Sequence, residues 1–320
     1  MSGAHADSIE SAPAVAVPAV SARPPVPTPA DGLESFLAEI RSEARTRGIS
    51  VATLDSSLVD IVDRPQVIEA DRSQPGAPAG FCQYLSKRLT STRIARGKRV
   101  LEENEALLAG ITAAYGVPAR YVVALWGLET NFGDYQGDHP LFDTLVTLAR
   151  DPRRGEFFRQ QIFAALRMVE DGHHPPEGFE GSWAGATGQV QFMPSTYLDY
   201  AVDHDGDGRR DIWTSIPDAL ASAAHLLRRS GWRPGETWGR QVMLPSELHG
   251  QARSLRKSPR GLKGWSNLGV RRSDGGALPV ANLSARLVLP LRTADPAFLV
   301  YQNYRVFMTW NRSTFFAISV

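Results

Sequence analysis

One carboxylate stands where a soluble helix would not place it. In Tyr121-Val-Val-Ala-Leu-Trp-Gly-Leu-Glu-Thr-Asn-Phe-Gly133, Val122, Leu125 and Trp126 fall at the i, i+3 and i+4 positions of one helical face. Glu129 continues that stripe at i+7. An ionised Glu against an apolar stripe is costly unless paired. Burial and the negative end of the helix dipole both raise its pKa, and a carboxyl protonated near neutral pH can act as a general acid. From this stretch alone, a Glu that escapes to solvent or pairs with an arginine is an equal reading.

A second group is Gly181-Ser-Trp-Ala-Gly-Ala-Thr-Gly-Gln-Val-Gln-Phe-Met-Pro-Ser195. Ser182, Gln189 and Gln191 offer neutral hydrogen-bonding groups, and Trp183 and Phe192 offer flat apolar faces. Sugars ask for that mixture, although a structural turn would carry it too. A third group, Asp203-His-Asp-Gly-Asp-Gly-Arg-Arg-Asp211, sets Asp203, Asp205, Asp207 and Asp211 at positions 1, 3, 5 and 9 of a calcium-loop template. Gly208 takes position 6, and Arg209 the position that offers a backbone carbonyl. Position 12, which should be a bidentate acid, is Thr214, so weakened calcium binding is expected. Arg153-Arg154 opens an amphipathic stretch and could clamp ligand carboxylates or simply face solvent.

The elements that must position these groups are mostly helical. Leu33, Phe36, Leu37 and Ile40 predict a helix stopped by Gly48, and a short helix is expected over 55–63. The periodicity predicts one helix over 98–115, then the Glu129 helix, then helices over 141–149 and 157–170. Ser215-Ile-Pro-Asp218 has capping-box spacing and opens another, ended by Arg228, Arg229 and Gly231. Residues 232–282 read as irregular. Short strands are expected at 287–291, 298–301 and 306–309, and a short helix from Ser313. Residues 1–30 hold eight Ala and six Pro and read as a disordered tail.

Composition narrows the function classes. The 320 residues are 42% hydrophobic and 22% charged with a formal net charge of +1, so bulk basicity does not argue for nucleic acid. The single cysteine, Cys82, excludes an internal disulfide framework. No His/Cys spacing suggests zinc, and no apolar run is long enough to span a membrane.

Together these pieces resemble the membrane-bound lytic murein transglycosylase B family. The likeness rests on G-L-E-T-N-F-G at 127–133, P-R-R at 152–154, the 181–195 segment and D-H-D-G-D-G at 203–208. Y-G-V-P at 115–118 and W-N-R-S-T at 310–314 also fit. The resemblance implies a mainly α (α+β) protein. Its parts would be a lysozyme-like helical core, an added helical domain and a small C-terminal β subdomain near 284–310, all within residues 31–320.

It implies cleavage of the MurNAc–GlcNAc β-1,4 bond of peptidoglycan without water, leaving 1,6-anhydro-MurNAc ends. Glu129 would be the catalytic acid/base. Ser182 and Gln191 would hold the sugar, Asn311 and Tyr84 would line the cleft, and Arg153 and Arg154 would meet stem-peptide carboxylates. Asp203, Asp205 and Asp207 match the calcium loop; no organic cofactor is expected. Trp310 stands where the family usually has Tyr, so a hydroxyl contact is expected to be lost. A hydrolytic muramidase and a non-catalytic peptidoglycan-binding scaffold are the rival readings. A monomer at the periplasmic face or cell envelope is expected. No export signal or lipidation cysteine is visible, which suggests processing or a different natural start, and the end at Val320 suggests a shortened chain.

Overall fold

The computed structural model describes residues 32–73, 80–291 and 296–320. The expected Ala/Pro-rich tail lies outside the described residues. Six helices lead to the one bearing Glu129. They are α1 (Leu33–Thr46), α2 (Val51–Ser57), α3 (Pro65–Arg72), α4 (Phe81–Arg88), α5 (Ser91–Glu103) and α6 (Glu105–Tyr115). The Glu129 helix itself is α7 (Ala119–Thr130).

Two boundaries differ from expectation. The helix expected over 55–63 lies earlier: Ser50 caps it by accepting the Thr53 N–H at 3.2 Å, and Asp60 has a left-handed φ of 50°. The single helix expected over 98–115 is two. Asn104 separates them, its side-chain amide turned back onto the Val100 carbonyl at 3.0 Å.

Next come β1 (His139–Pro140), α8 (Leu141–Ala149), α9 (Gly155–Glu170), β2 (Glu180–Gly181), α10 (Pro194–Tyr200) and α11 (Ile216–Arg229). β1 and β2 pair antiparallel, with His139 opposite Gly181. This small ribbon joins the loop after α7 to the start of the 181–195 segment. The capping box forms as its spacing predicts, with Ser215 accepting the Asp218 N–H at 3.3 Å. Leu125, Leu145, Phe158, Ile162 and Leu227 are fully buried in the helical core that these elements share.

The stretch expected to be irregular carries much of a small β unit. It holds β3 (Gly239–Met243), α12 (Ser246–His249), α13 (Ala252–Leu255), β4 (Arg260–Gly261), α14 (Leu262–Asn267) and β5 (Arg271–Arg272). With β6 (Ser284–Val288) and β7 (Ala297–Val300) the strands form an antiparallel sheet in the order β4-β6-β7-β3-β5. Trp265 centres this unit, its indole N–H bonded to the Ala285 carbonyl at 3.1 Å. All four residues of β7 are buried because the strand separates two cores. Phe298 and Val300 face the helical core, while Ala297 and Leu299 face the small one.

Residues 306–309, expected to be a strand, belong instead to α15 (Gln302–Trp310), followed by α16 (Thr314–Ser319). A run as short as Val-Phe-Met-Thr does not distinguish a strand from a buried helical turn. The decision comes from Asn303. Its buried side chain joins the Arg233 N–H, the Arg233 carbonyl and the Glu236 carbonyl at 2.8–2.9 Å, fixing the first turn of α15.

Candidate active site

The turn closing α7 explains why the residues around Glu129 have the types they do. Asn131 and Phe132 both take left-handed backbone conformations, with φ of 54° and 65°. The Phe132 N–H returns to the Trp126 carbonyl at 3.2 Å, closing the helix end. A bulky residue there is strained, and packing holds it. The Phe132 ring meets Trp126 edge-on and folds over Gly127, where an added Cβ would lie 2.6 Å from the ring. Thr130 donates to the Gln189 carbonyl at 2.7 Å and accepts the Gly133 N–H at 3.0 Å. G-L-E-T-N-F-G is therefore a rigid frame that carries one carboxyl group.

The 181–195 segment is built against that frame. The buried Gln189 side chain accepts the Trp126 indole N–H at 3.1 Å, so it braces α7 and does not face a ligand as its type suggests. Phe192 is also buried; its backbone bridges Thr187 and its ring lies 5.6 Å from Trp310. Ser182 accepts the Ala186 N–H at 3.1 Å. Gln191 has a left-handed φ of 52°, and its amide donates to the Gln136 carbonyl at 2.8 Å. Ser182, Trp183 and Gln191 remain half-exposed.

Glu129 is enclosed on most sides yet keeps an opening to solvent. Burial pushes its carboxyl up to about 7, against two smaller effects that favour the anion. One is the Trp310 indole N–H, which donates to Oε1 at 2.8 Å across 181 residues of sequence. Trp310 stands where the family usually has Tyr, and here an indole N–H makes the hydrogen bond. The other is the charge of Arg88, whose guanidinium donates to the Leu128 carbonyl at 3.0 Å. Arg88 also packs over Tyr84 on the same face of α4, and Tyr84 leans on Phe315. Asn311 follows Trp310 as the extended residue that ends α15; it is exposed, and its Oδ1 accepts the Ser313 N–H at 3.1 Å. Sequence reasoning missed Arg88 and Gln136 as neighbours of the candidate site and saw Trp310 only as a departure from Tyr. Only the folded chain brings them to Glu129 and Gln191.

Acids near Glu129 in sequence are engaged elsewhere. Asp134 is held by Arg96 and Asn131, and the Arg96 hydrogen bond holds its carboxyl below the usual range. Asp138 accepts the Tyr135 hydroxyl at 3.0 Å and is exposed. The guanidiniums of Arg153 and Arg154 both bind the buried Asp71 of α3, and each stays partly exposed.

The acidic loop gathers a different set from the one its template names. Carboxylate oxygens of Asp203, Asp205 and Asp218 lie within 4.8 Å of one another. Asp207 and Asp211 are not in that group. Asp207 accepts the Arg209 N–H, and Asp211 caps the Trp213 and Thr214 N–H groups. Asp218, four residues after Thr214 in the first turn of α11, is the third carboxylate of that group. Burial foremost, and the charge of Asp205 among the lesser causes, pushes the Asp218 carboxyl up. A set of hard oxygen donors whose charges oppose one another suits a hard dication.

Comparison with known proteins settles the family. The model for the family described as "Transglycosylase SLT domain" matches residues 32–320. The chain belongs to this family. It is a peptidoglycan lytic transglycosylase with a lysozyme-like fold. It is 30% identical over 277 residues to membrane-bound lytic murein transglycosylase B of Escherichia coli (strain K12), covering 85% of this chain and 74% of that one. The structure of SltB3 from Pseudomonas aeruginosa in complex with NAG-anhNAM-pentapeptide matches with a TM-score of 0.85 at 39% identity, covering 90% and 77% of the two chains. That of the Escherichia coli lytic transglycosylase Slt35 in complex with calcium matches at 0.74 and 26% identity, covering 89% of each.

Proposed function

We propose that this transglycosylase cuts the MurNAc–GlcNAc β-1,4 bond with Glu129 as its one acid/base and closes a 1,6-anhydro ring on MurNAc. One observation carries the reading. Glu129 is a desolvated carboxyl that titrates at about 7, and its neighbours in sequence, Asp134 and Asp138, are engaged by Arg96, Asn131 and Tyr135. Glycosidases that work with two carboxylates set them ~5 Å or ~6.5–9.5 Å apart. Among the described residues, the group that contacts the Glu129 carboxylate is Trp310.

Protonated Glu129 gives its proton to the glycosidic oxygen as the bond from C1 breaks. The resulting carboxylate takes the proton of the MurNAc C6 hydroxyl as that oxygen bonds to C1. No water is consumed, and Glu129 ends the cycle protonated. The attacking oxygen is already tethered to the sugar, which lowers the entropic barrier. Ser182, Gln191 and Asn311 present polar groups to the sugar, and Tyr84 lines the wall with Arg88. Arg153 and Arg154 turn the donors not used by Asp71 towards stem-peptide carboxylates.

Asp203, Asp205 and Asp218 would hold a calcium ion, whose charge would tie the acidic loop to α11. The substrate places the enzyme's work outside the cytoplasm. Glu129→Gln keeps the shape and removes the acid, so sacculus digestion falls by at least ~10²-fold with the fold intact. Mass spectrometry of wild-type products yields anhydro-MurNAc ends. Products one water heavier with a reducible end would replace this reading with the hydrolytic muramidase.

A further inference from the structure

We infer that Trp310 selects the oxygen of Glu129 that moves the proton, holding Oε1 throughout the cycle and leaving Oε2 to act as both acid and base. The inference rests on Glu129 as the acid/base. An indole N–H donates and never accepts. The 2.8 Å contact to Oε1 therefore needs an acceptor there whether Glu129 is neutral or ionised. The carbonyl oxygen of a neutral carboxyl accepts far better than its hydroxyl oxygen, so keeping this bond favours the proton on Oε2. The carboxylate formed after proton donation keeps the same bond, so nothing rotates between the acid and base steps.

The indole is well placed to be fixed. α15 ends at Trp310, with Val306 and Phe307 buried in the helical core and the ring tilted against Phe192. Other charged groups around the site have their own partners. From α4, Arg88 binds the Leu128 carbonyl; from α5, Arg93 binds Asn131 and Arg96 binds Asp134. The 181–195 segment and α16 hold no charged residue, and Arg312 is exposed. Trp310 is thus a positioning residue with two separable effects. Its ring helps keep water from Glu129, and its N–H favours the anion.

The test removes the N–H and keeps the ring. In Trp310→Phe, and in Trp310→3-benzothienylalanine, the isostere without the N–H, the anion loses its donor. Glu129 then stays protonated to higher pH, and the alkaline limb of kcat moves up by about one unit. The anion formed in the transition state loses its donor and half of the neutral carboxyls carry the proton on the other oxygen, so kcat at the optimum falls by up to about tenfold, while KM changes less than about twofold. Trp310→Tyr, whose hydroxyl can donate, returns the limb most of the way. Merely structural damage lowers kcat without moving the limb upwards. An unmoved or lowered limb in the benzothienyl variant, with its melting temperature unchanged, overturns the inference while Glu129→Gln remains inactive. A Glu129→Gln enzyme that works at the wild-type rate would instead overturn the acid/base reading itself.

Discussion

Two regions of this molecule hold carboxyl groups in opposite ways: at 203–218 the exposed Asp203 and Asp205 stand beside the buried Asp218, whereas Glu129 is enclosed on most sides. The loop at 203–218 surrounds its acids with donors. Asp203 accepts the Gly206 and Gly208 N–H groups, Asp205 accepts the Asp207 N–H and the Ser215 hydroxyl, and Asp218 accepts the N–H groups of His204, Asp205 and Asp211. Glu129 sits at the opposite kind of helix end and receives one side-chain donor, the Trp310 N–H. Donors favour the charged form of a carboxyl, although at Asp218 burial still outweighs its three N–H groups. A carboxyl left poorly satisfied near the negative end of a helix has two protonation states close in energy near neutral pH. The first arrangement can fix a cation, and the second can move a proton. The loop differs in grouping three carboxylates within reach of one another, whereas Glu129 stands without a second carboxylate in contact among the described residues.

The largest expected effect separates the two regions by pH. Glu129 is held above its ordinary value, so the folded state prefers the neutral form. That preference contributes stability below an unfolded-state value near 4.5 and is lost as pH rises through about 7. Above pH 8 the enclosed anion costs on the order of 3 kcal/mol. Glu129→Gln has no such cost. Its melting temperature should exceed that of the wild type at pH 8.5, and the two should converge at pH 5, even as activity is lost. Parallel melting curves at both pH values would mean that Glu129 is better solvated than its surroundings indicate.

Calcium gives the next largest effect, at the other region. An ion that binds only the folded state adds about 2.7 kcal/mol at a hundred times its dissociation constant, which raises the melting temperature by several degrees. Asp218→Asn should abolish most of that rise, whereas Asp207→Asn and Asp211→Asn should reduce it less. A calcium response that survives in Asp218→Asn, or none in the wild type, would reduce the loop to a hydrogen-bonded turn.

What could be read in the chain was local. The apolar stripe of α7, the Ser215 cap and the Ala-to-Leu face of α11 each lie within a few residues, where helical period and cap chemistry decide. What could not be read depends on distant partners. Gln189 has the type of a sugar ligand, but it turns inward because the Trp126 N–H, 63 residues away, needs an acceptor. Phe192 backs Trp310 instead of a sugar ring. Thr214 breaks the calcium template on paper, while the fold brings Asp218, outside that template, beside Asp203 and Asp205. Trp310 was visible only as a departure from the family's usual Tyr. Its N–H contact depends on where α15 ends, and residues 306–309 alone could not show that α15 is a helix.

The smallest effect tests a third way of holding a buried acid. Asp71 is met by two guanidiniums, so removing both arginines would leave a charge unpaired inside the protein and damage the fold. Arg153→Ala alone leaves Arg154 on Asp71. Arg153 is about half exposed, and water screens whatever it contributes to a ligand. A carboxylate contact of that kind amounts to about 1 kcal/mol, or roughly a fivefold change in rate. Turnover of peptide-bearing glycan should fall by that factor in Arg153→Ala, while naked glycan is cleaved as before. Equal loss on both substrates would show that Arg153 serves Asp71 alone. The arginine cluster would then belong with the fully satisfied acids of the calcium-type loop, as structure and not as recognition.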